Sequence, residues 1–159
     1  QEALEKLPDA RFNLDIKRSI AIDPTVRAIA SAAGQDRVLV SSFSDSRRRK
    51  AMRLLSAQGL RVATGMGLAK ILSAVLAATL RLRRAFNLVA QGSQAIQLPY
   101  EHPLINPLQP RFIEYALAAG LQLNYWVVND EQTMHELVAL GATGIVSDRA
   151  DVAAKALRH

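Results

Sequence analysis

The chain has 159 residues, which is enough for one domain with a buried core but not for two. It contains no cysteine, which excludes disulfides and thiolate metal sites, and its apolar half is mainly aliphatic, as in helices packed on a parallel sheet. The formal net charge of +6 favours anionic partners such as a phosphate ester, an acidic lipid surface or a nucleic acid.

Two basic clusters carry much of this charge, at residues 47–50 (RRRK) and 81–84 (RLRR). We interpret each cluster as a solvated helix face. No aromatic residues alternate with them, so the stacking surface that single-stranded nucleic acids need is missing. The most apolar stretch, residues 68–82, is interrupted by Lys70 and Arg81 and is short for a membrane span. We therefore predict no nucleic acid partner and no stable membrane insertion.

The start of the sequence differs from that of a typical nascent chain. It begins with Gln1, and residues 1–7 resemble the end of an amphipathic helix rather than a signal peptide. We therefore expect the chain to be part of a longer protein. The lack of cysteine fits a reducing compartment, and on that ground we expect a cytoplasmic location.

Strand-like and helix-like segments alternate along the whole chain, in the order of βα units. The predicted strands cover residues 11–17, 37–42, 60–64, 94–98, 121–128 and 143–147. The predicted helices cover residues 23–33, 44–58, 66–84, 111–119, 130–140 and 151–157. Residues that commonly begin or end helices stand at several of these bounds, namely Asp23-Pro24, Gly34, Ser44-Asp45, Gly120 and Asp130.

Strands that are each followed by a helix predict a parallel arrangement with right-handed crossovers. A doubly wound sheet and part of an eight-unit barrel both fit this pattern. The doubly wound sheet would have a glycine-rich phosphate loop after its first strand, but Arg18, Ser19 and Ile20 follow here. A complete barrel has about 250 residues, and this chain is short of that by about two βα units. The sequence therefore predicts an α/β fold, a partial TIM (β/α)8 barrel that forms a single domain over residues 1–159.

Barrel enzymes carry their working residues at the C-terminal ends of the strands and in the loops that follow. At the end of the first predicted strand, the two-residue period puts Asp15 and Lys17 on one face and Ile16 on the other. A carboxylate and an ammonium group at a barrel mouth suit a divalent cation and a phosphate oxygen. A structural ion pair across the barrel is the alternative that spacing alone leaves open.

The other strand ends supply aromatic and polar side chains that we predict to contact a substrate. Phe43 lies among the serines after the second strand, and His102 follows the fourth. Trp126 and Asn129 belong to the end of the fifth strand, where a tryptophan can be a substrate wall or a core residue. The sequence has no GxSxG, P-loop or HExxH motif, and no histidine has an evident orienting partner for a catalytic triad.

Four segments together resemble the glycerophosphodiester phosphodiesterase family. They are RFNLDIK (11–17), RVLVSSFS (37–44), LNYWVVND (123–130) and GIVSDRAD (144–151). Their order and spacing are similar to the third, fourth, seventh and eighth strands of the family's barrel, so the resemblance covers essentially the whole chain and implies strands 3–8. It also implies metal-dependent hydrolysis of a glycerophosphodiester to sn-glycerol 3-phosphate and an alcohol, with Ca²⁺ or Mg²⁺ as cofactor.

The resemblance implies roles for single residues. Asp15 stands where the family's Glu-x-Lys motif has its metal-binding acid, and Lys17 matches the catalytic lysine that faces the phosphate. Trp126 matches the tryptophan that lines the substrate pocket. Aspartate in place of glutamate shortens the reach by one methylene group, so the metal would shift or be bridged by water.

The resemblance also implies an absence. The first two strands of the family carry a His-Arg-Gly motif, a Glu-x-Asp pair of metal ligands and a further histidine, and these 159 residues contain no counterpart. Because those histidines are the general acid and base, we expect the parent enzyme to be active and this chain alone to be inactive. The open edges at 11–17 and 143–147 predict a homo-oligomer or association with a missing N-terminal segment. A non-enzymatic remnant that binds a phosphate ester or a partner is the alternative, and a basic module for anionic membranes or nucleic acid is a third reading.

Overall fold

The structure is a computed structural model that describes residues 1–103 and 105–157. The chain divides into two compact units, Gln1–Ala69 and Lys70–His159. Each unit contains a three-stranded parallel sheet with helices after its strands, which confirms the α/β class. The single-domain prediction concerns the assembly of these units and stays a prediction. No helix in the described part of the chain is long and apolar enough to cross a membrane.

The sheet of the first unit has the order β1-β2-β3. Its strands are β1 (Phe12–Asp15), β2 (Val38–Ser41) and β3 (Ala63–Thr64). Its helices are α1 (Glu2–Lys6), α2 (Ile22–Ser31), which follows a 3₁₀ turn at Ser19–Ala21, and α3 (Asp45–Ala57). Asp15 pairs with Ser41 and Val40 with Thr64, so the ends of the three strands lie at one edge of the sheet.

The two faces of this sheet differ in polarity. The side chains of Ile16, Val38 and Val40 are buried in an apolar core that includes Ile29 of α2 and Leu55 of α3. Each fully buried aliphatic side chain of this kind stabilises the fold by roughly 1.5–3 kcal/mol. The alternate positions of the strands lie on the opposite face, which is therefore the face available for a site.

The sheet of the second unit has the order β4-β5-β6. Its strands are β4 (Ala95–Pro99), β5 (Gln122–Trp126) and β6 (Gly144–Ile145). The remaining helices are α4 (Leu68–Thr79), which begins at the unit boundary, α5 (Arg83–Ala90), α6 (Pro110–Ala118), α7 (Glu131–Ala139) and α8 (Ala150–Ala156). Phe86 of α5 packs edge-to-face on Phe112 and Tyr115 of α6, with ring centroids 5.8 and 5.6 Å apart.

The predicted helix over residues 66–84 is wrong, because the chain forms α4 and α5 with a turn between them. Arg81 adopts a left-handed conformation with φ 60°. The backbone N–H of Leu82 donates to the carbonyl of Ala77 at 2.8 Å and that of Arg81 to Ala78 at 3.2 Å, as in a Schellman motif. Arginine occupies the position where glycine usually signals this ending, so the sequence carried no sign of it.

Other predicted bounds shift by smaller amounts. Helix α2 begins at Ile22 with Ala21 as its N-cap, so the prediction of Asp23 as the cap is wrong. The Asp23 carboxylate instead lies in the first turn, where its negative charge is attracted by the positive end of the helix dipole. The cap predicted at Ser44 or Asp45 is Ser44, and the cap predicted at Asp130 is confirmed: the two side chains accept the backbone N–H groups of Arg47 at 3.4 Å and Thr133 at 2.8 Å.

Gly67 precedes α4, and a methyl group there would overlap the carboxylate of Asp45. Asp45 Oδ1 accepts from Nη2 of the buried Arg48 at 3.2 Å, so moving it disturbs a buried ion pair. We expect Gly67→Ala to lower the free energy of unfolding by about 1–3 kcal/mol, measured by urea denaturation. Gly34→Ala is the matched control, since its methyl group would have ordinary contacts at 3.6–3.7 Å. Equal losses in the two variants would contradict this account.

Burial raises the pKa of Tyr125 to about 12, and its hydroxyl donates to the carbonyl of Pro107 at 3.1 Å. The folded pKa lies above the unfolded value of about 10. The contribution to stability is therefore complete below about pH 10 and is lost as the pH rises from about 10 to about 12. An alkaline titration followed by tyrosinate absorbance should show an ionisation near pH 12 that Tyr125→Phe removes. Its persistence in the variant would refute the assignment.

Candidate functional site

The C-terminal edge of the first sheet carries three of the predicted site residues, and two of them, Asp15 and Lys17, belong to the same strand end. Asp15 is the last residue of β1, and Lys17 follows two positions later. Both are exposed, while Ile16 between them is 2% exposed. This alternation puts Asp15 and Lys17 on the same side of the chain, opposite the apolar core. Neither side chain forms an ion pair within the described residues, so the ionic groups of both are open to solvent.

The segment between Asp15 and Lys17 is held in place by hydrogen bonds to Ile16. The N–H of Ile16 donates to the carbonyl of Ser41 at 2.9 Å, which extends the ladder between β1 and β2. The carbonyl of Ile16 accepts from Ser42 Oγ at 2.7 Å and from Arg47 Nε at 3.2 Å. Arg47 Nε also lies 3.3 Å from Ser42 Oγ. The two exposed ionic groups thus flank a residue that is fixed through its side chain, its N–H and its carbonyl.

The structure places Arg47 against the segment that carries Asp15 and Lys17, a position that sequence reasoning missed. Residues 47–50 were predicted to form a solvated helix face, and Arg49 and Lys50 are indeed exposed. Arg47 is half-buried at the strand ends, and Arg48 is buried, with its terminal nitrogens 3.2 Å from Asp45 Oδ1 and 3.4 Å from Thr64 Oγ1. The single-face prediction is therefore wrong for these two arginines. The signal was their place in the first turn of the helix after β2.

Phe43 also belongs to the first unit. It follows β2 directly and is 65% exposed, which is unusual for an aromatic side chain. Its neighbour Ser42 is buried and takes part in the hydrogen bonds to Ile16. Phe43 therefore presents an apolar surface at the C-terminal edge of β2. Its predicted contact with a substrate stays a prediction.

The second unit carries the other three predicted residues. Trp126 is the last residue of β5, is half-buried and pairs in register with Pro99 of β4. Asn129 is exposed, and its Oδ1 accepts from Ser147 Oγ and from the N–H of Asp148, both at 3.0 Å. These bonds join the loops that follow β5 and β6. His102 is exposed in the segment after β4, and the substrate contacts of all three stay predictions.

Two polar residues on the second sheet were not predicted. Gln97 of β4 pairs in register with Asn124 of β5, and both are half-buried on the face opposite Leu98 and Tyr125. The buried Nε2 of Gln97 has no hydrogen-bond partner among the residues that the structure describes. A short polar strip therefore crosses the second sheet. Alternation of side chains along β4 and β5 was the available signal.

The described residues do not fit a divalent cation by themselves. Asp15 offers one carboxylate, and no group of three or more histidine, aspartate or glutamate side chains lies together in residues 1–103 and 105–157. Calcium takes six to eight oxygen ligands, and magnesium is commonly bound through one or two carboxylates with waters and substrate phosphates. The carboxylates of this part of the chain therefore do not make a dedicated metal centre.

The sequence as a whole matches a model of the glycerophosphoryl diester phosphodiesterase family over residues 1–152. A curated relative, "Probable glycerophosphodiester phosphodiesterase 2" of Mycobacterium tuberculosis, is 36% identical over 152 residues. The alignment covers 96% of this chain and 56% of that protein. The chain thus spans little more than half the length of the curated relative that it matches.

Solved structures show the same fold at low sequence identity. A glycerophosphodiester phosphodiesterase from Agrobacterium tumefaciens has a TM-score of 0.68 at 18% identity, over 96% of this chain and 58% of that one. A glycerophosphodiester phosphodiesterase from Parabacteroides distasonis has a TM-score of 0.67 at 16% identity, over 98% of this chain and 60% of that one.

Proposed function

The chain belongs to the glycerophosphoryl diester phosphodiesterase family, and from this premise we propose that its strands β1 to β6 correspond to strands 3–8 of the family's TIM barrel. The parallel order within each sheet and the helix after each strand support this correspondence. So does the matched share of the solved relatives, 58% and 60% of their lengths. In this proposal the C-terminal edges of the strands line the mouth of the barrel.

The proposed activity is that of the parent enzyme: metal-dependent hydrolysis of a glycerophosphodiester to sn-glycerol 3-phosphate and an alcohol. The observation that carries it is the pair Asp15 and Lys17, exposed on one side of β1 around the fixed residue Ile16. In this arrangement Lys17 supplies a positive charge to the phosphodiester, which stabilises the more negative transition state. Trp126 forms a wall for the substrate, and Phe43 contributes apolar surface.

The proposed cofactor is a divalent cation, Ca²⁺ or Mg²⁺, which would neutralise charge on the phosphate when bound. Asp15 would supply one oxygen ligand. A single carboxylate does not complete such a site, so the roles assigned to this chain are those of its own side chains: charge from Lys17 and substrate contacts from Asn129 and His102.

We further propose that residues 1–159 do not hydrolyse the substrate alone. The family's His-Arg-Gly motif, which carries an acid–base histidine, has no counterpart in this sequence. Proton transfer to the leaving alcohol typically contributes 10²–10⁴-fold to the rate, about 3–5 kcal/mol of barrier. Lys17 and Asp15 position and polarise the phosphate but do not replace that step.

A second candidate function is non-enzymatic binding of a phosphate ester. It is favoured by the charge balance at the edge of the first sheet, where Lys17, Arg18 and Arg47 accompany Asp15, since the second carboxylate there, Asp45, is paired with Arg48. The two functions share the phosphate group as ligand. An assay of the parent protein distinguishes the two functions. A phosphodiesterase hydrolyses the substrate when the missing motif is present, whereas a binding remnant stays inactive.

Lys17→Ala in the parent protein should lower kcat for glycerophosphocholine by about 10²–10³-fold, because the charge stabilises the transition state more than the ground state. Lys50→Ala is the matched control: it removes the same charge from an exposed position on α3. Hydrolysis is measured by release of sn-glycerol 3-phosphate in the presence of Ca²⁺ or Mg²⁺. Equal activity of the Lys17→Ala and Lys50→Ala variants would contradict the role proposed for Lys17. Residues 1–159 alone should show no hydrolysis.

We also propose that residues 1–159 self-associate through the outer strands. Within the described residues β1 pairs only with β2, and β6 only with β5. The N–H groups of Phe12 and Ile16 donate towards β2, at 2.7 and 2.9 Å, so alternation turns that of Asn13 to the other side. An edge with unpaired N–H and carbonyl groups is a template for pairing with a second chain.

Asn13→Pro should therefore shift a homodimer of this chain to monomer, because proline removes the outward N–H. The measurement is molar mass by light scattering after size exclusion. Asn13→Ala is the matched control: it removes the same side chain, including its hydrogen bond from Ser41 Oγ at 3.2 Å, and keeps the N–H. Dissociation in both variants, or a monomeric starting protein, would contradict edge pairing.

A further inference from the structure

We propose that Arg47 is a second phosphate-binding residue, which acts with Lys17 on one phosphate group. The inference rests on the proposed function and deepens it, because it assigns phosphate binding to a residue outside the four segments that were compared with the family's strands. Arg47 lies in the first turn of α3, which follows β2, and is half-buried. It is thus on the helix that leaves the same edge of the sheet at which Asp15 ends β1.

The anchoring of Arg47 supports the proposal. Its Nε donates to the carbonyl of Ile16 at 3.2 Å and lies 3.3 Å from Ser42 Oγ. Ile16 is the residue between Asp15 and Lys17, so the guanidinium is tied to the chain one residue away from each of the two ionic groups. Ser42 is buried, and its hydroxyl donates a second hydrogen bond to the same carbonyl at 2.7 Å.

The terminal nitrogens of Arg47 are left available. Nη1 and Nη2 donate no hydrogen bond, and Arg47 forms no ion pair, in the part of the chain that the structure describes. Asp45, the nearest carboxylate in sequence, accepts from Arg48 instead, at 3.2 Å. A guanidinium held through Nε and open at both terminal nitrogens presents the planar fork that matches two oxygens of a phosphate.

The local field favours the same ligand. Arg47 lies at the start of a 13-residue helix, where its backbone N–H donates to Ser44 Oγ at 3.4 Å. The N-terminus of such a helix carries partial positive charge. Lys17 and Arg18 add two exposed cations at the end of β1. An oxyanion that offers at least two oxygens to separate donors suits this set, which is met by a phosphodiester with one negative charge and by inorganic phosphate with more. The chemical class of ligand is therefore a phosphate ester or inorganic phosphate.

The test is titration of residues 1–159 with inorganic phosphate at constant ionic strength, followed by NMR of the arginine Nε–H groups. The Arg47 resonance should shift with phosphate, and Arg47→Ala should raise the dissociation constant about tenfold, the loss of one charge-assisted contact. Arg49→Ala is the matched control, since it removes the same charge from an exposed position of α3 and should change the constant less than about twofold.

The outcomes separate the two proposals. Equal weakening by Arg47→Ala and Arg49→Ala overturns the specific role of Arg47, because only net charge would then matter. If Lys17→Ala weakens binding and Arg47→Ala does not, the Arg47 proposal alone fails. If neither does, the Arg47 proposal fails and so does phosphate binding by Lys17 in this chain, whereas the proposed hydrolysis by the parent protein is decided by the kcat of Lys17→Ala. Arg47→Gln keeps a donor for the Ile16 carbonyl but loses the charge, so wild-type phosphate affinity in this folded variant also overturns the inference.

Discussion

The position of the ionic groups at the end of β1 depends on Ile16, which is fixed in three ways at once. Its side chain is 2% exposed in the core, its N–H bonds to Ser41 and its carbonyl accepts from Ser42 and Arg47. Since side chains alternate along an extended chain, burying Ile16 forces its two neighbours to the opposite side. The packing of the core thereby sets the position of the ionic groups, and the hydrogen bonds to the carbonyl set the point at which the chain leaves the sheet.

The second unit uses the same alternation at the end of β5. Tyr125 is 1% exposed, and its hydroxyl holds Pro107 in the segment after β4, while Trp126 at the next position lies on the other face. A buried hydroxyl needs a partner, because an unpaired one costs about 1–3 kcal/mol. Tyr125 therefore ties the described residue Pro107 of this connection to the core. The core again fixes the element that carries a candidate site residue.

Much of the fold could be predicted from the sequence because its signals are local. Strand and helix order, and the caps at Ser44 and Asp130, follow from period two, period 3.6 and side-chain oxygens that accept backbone N–H groups. The break between α4 and α5 could not, because Arg81 takes a left-handed conformation without glycine. The site was predicted less completely. A run of four basic residues looks uniform in sequence. In the structure the orientation of α3 directs Arg47 to the carbonyl of Ile16 and Arg48 to the hydroxyl of Thr64 in β3.

The difference between those two arginines follows from what anchors each one. Arg48 is held by the carboxylate of Asp45, which cancels its charge and makes it a structural group. Arg47 is held by a carbonyl and a hydroxyl, which are neutral acceptors and leave the full positive charge on the guanidinium. An anion-binding group needs rigid placement without neutralisation, since a carboxylate anchor would compete with the ligand for the same donors. The backbone carbonyl of Ile16 meets both demands, because it anchors the Arg47 guanidinium through Nε and leaves its charge for the phosphate that we propose.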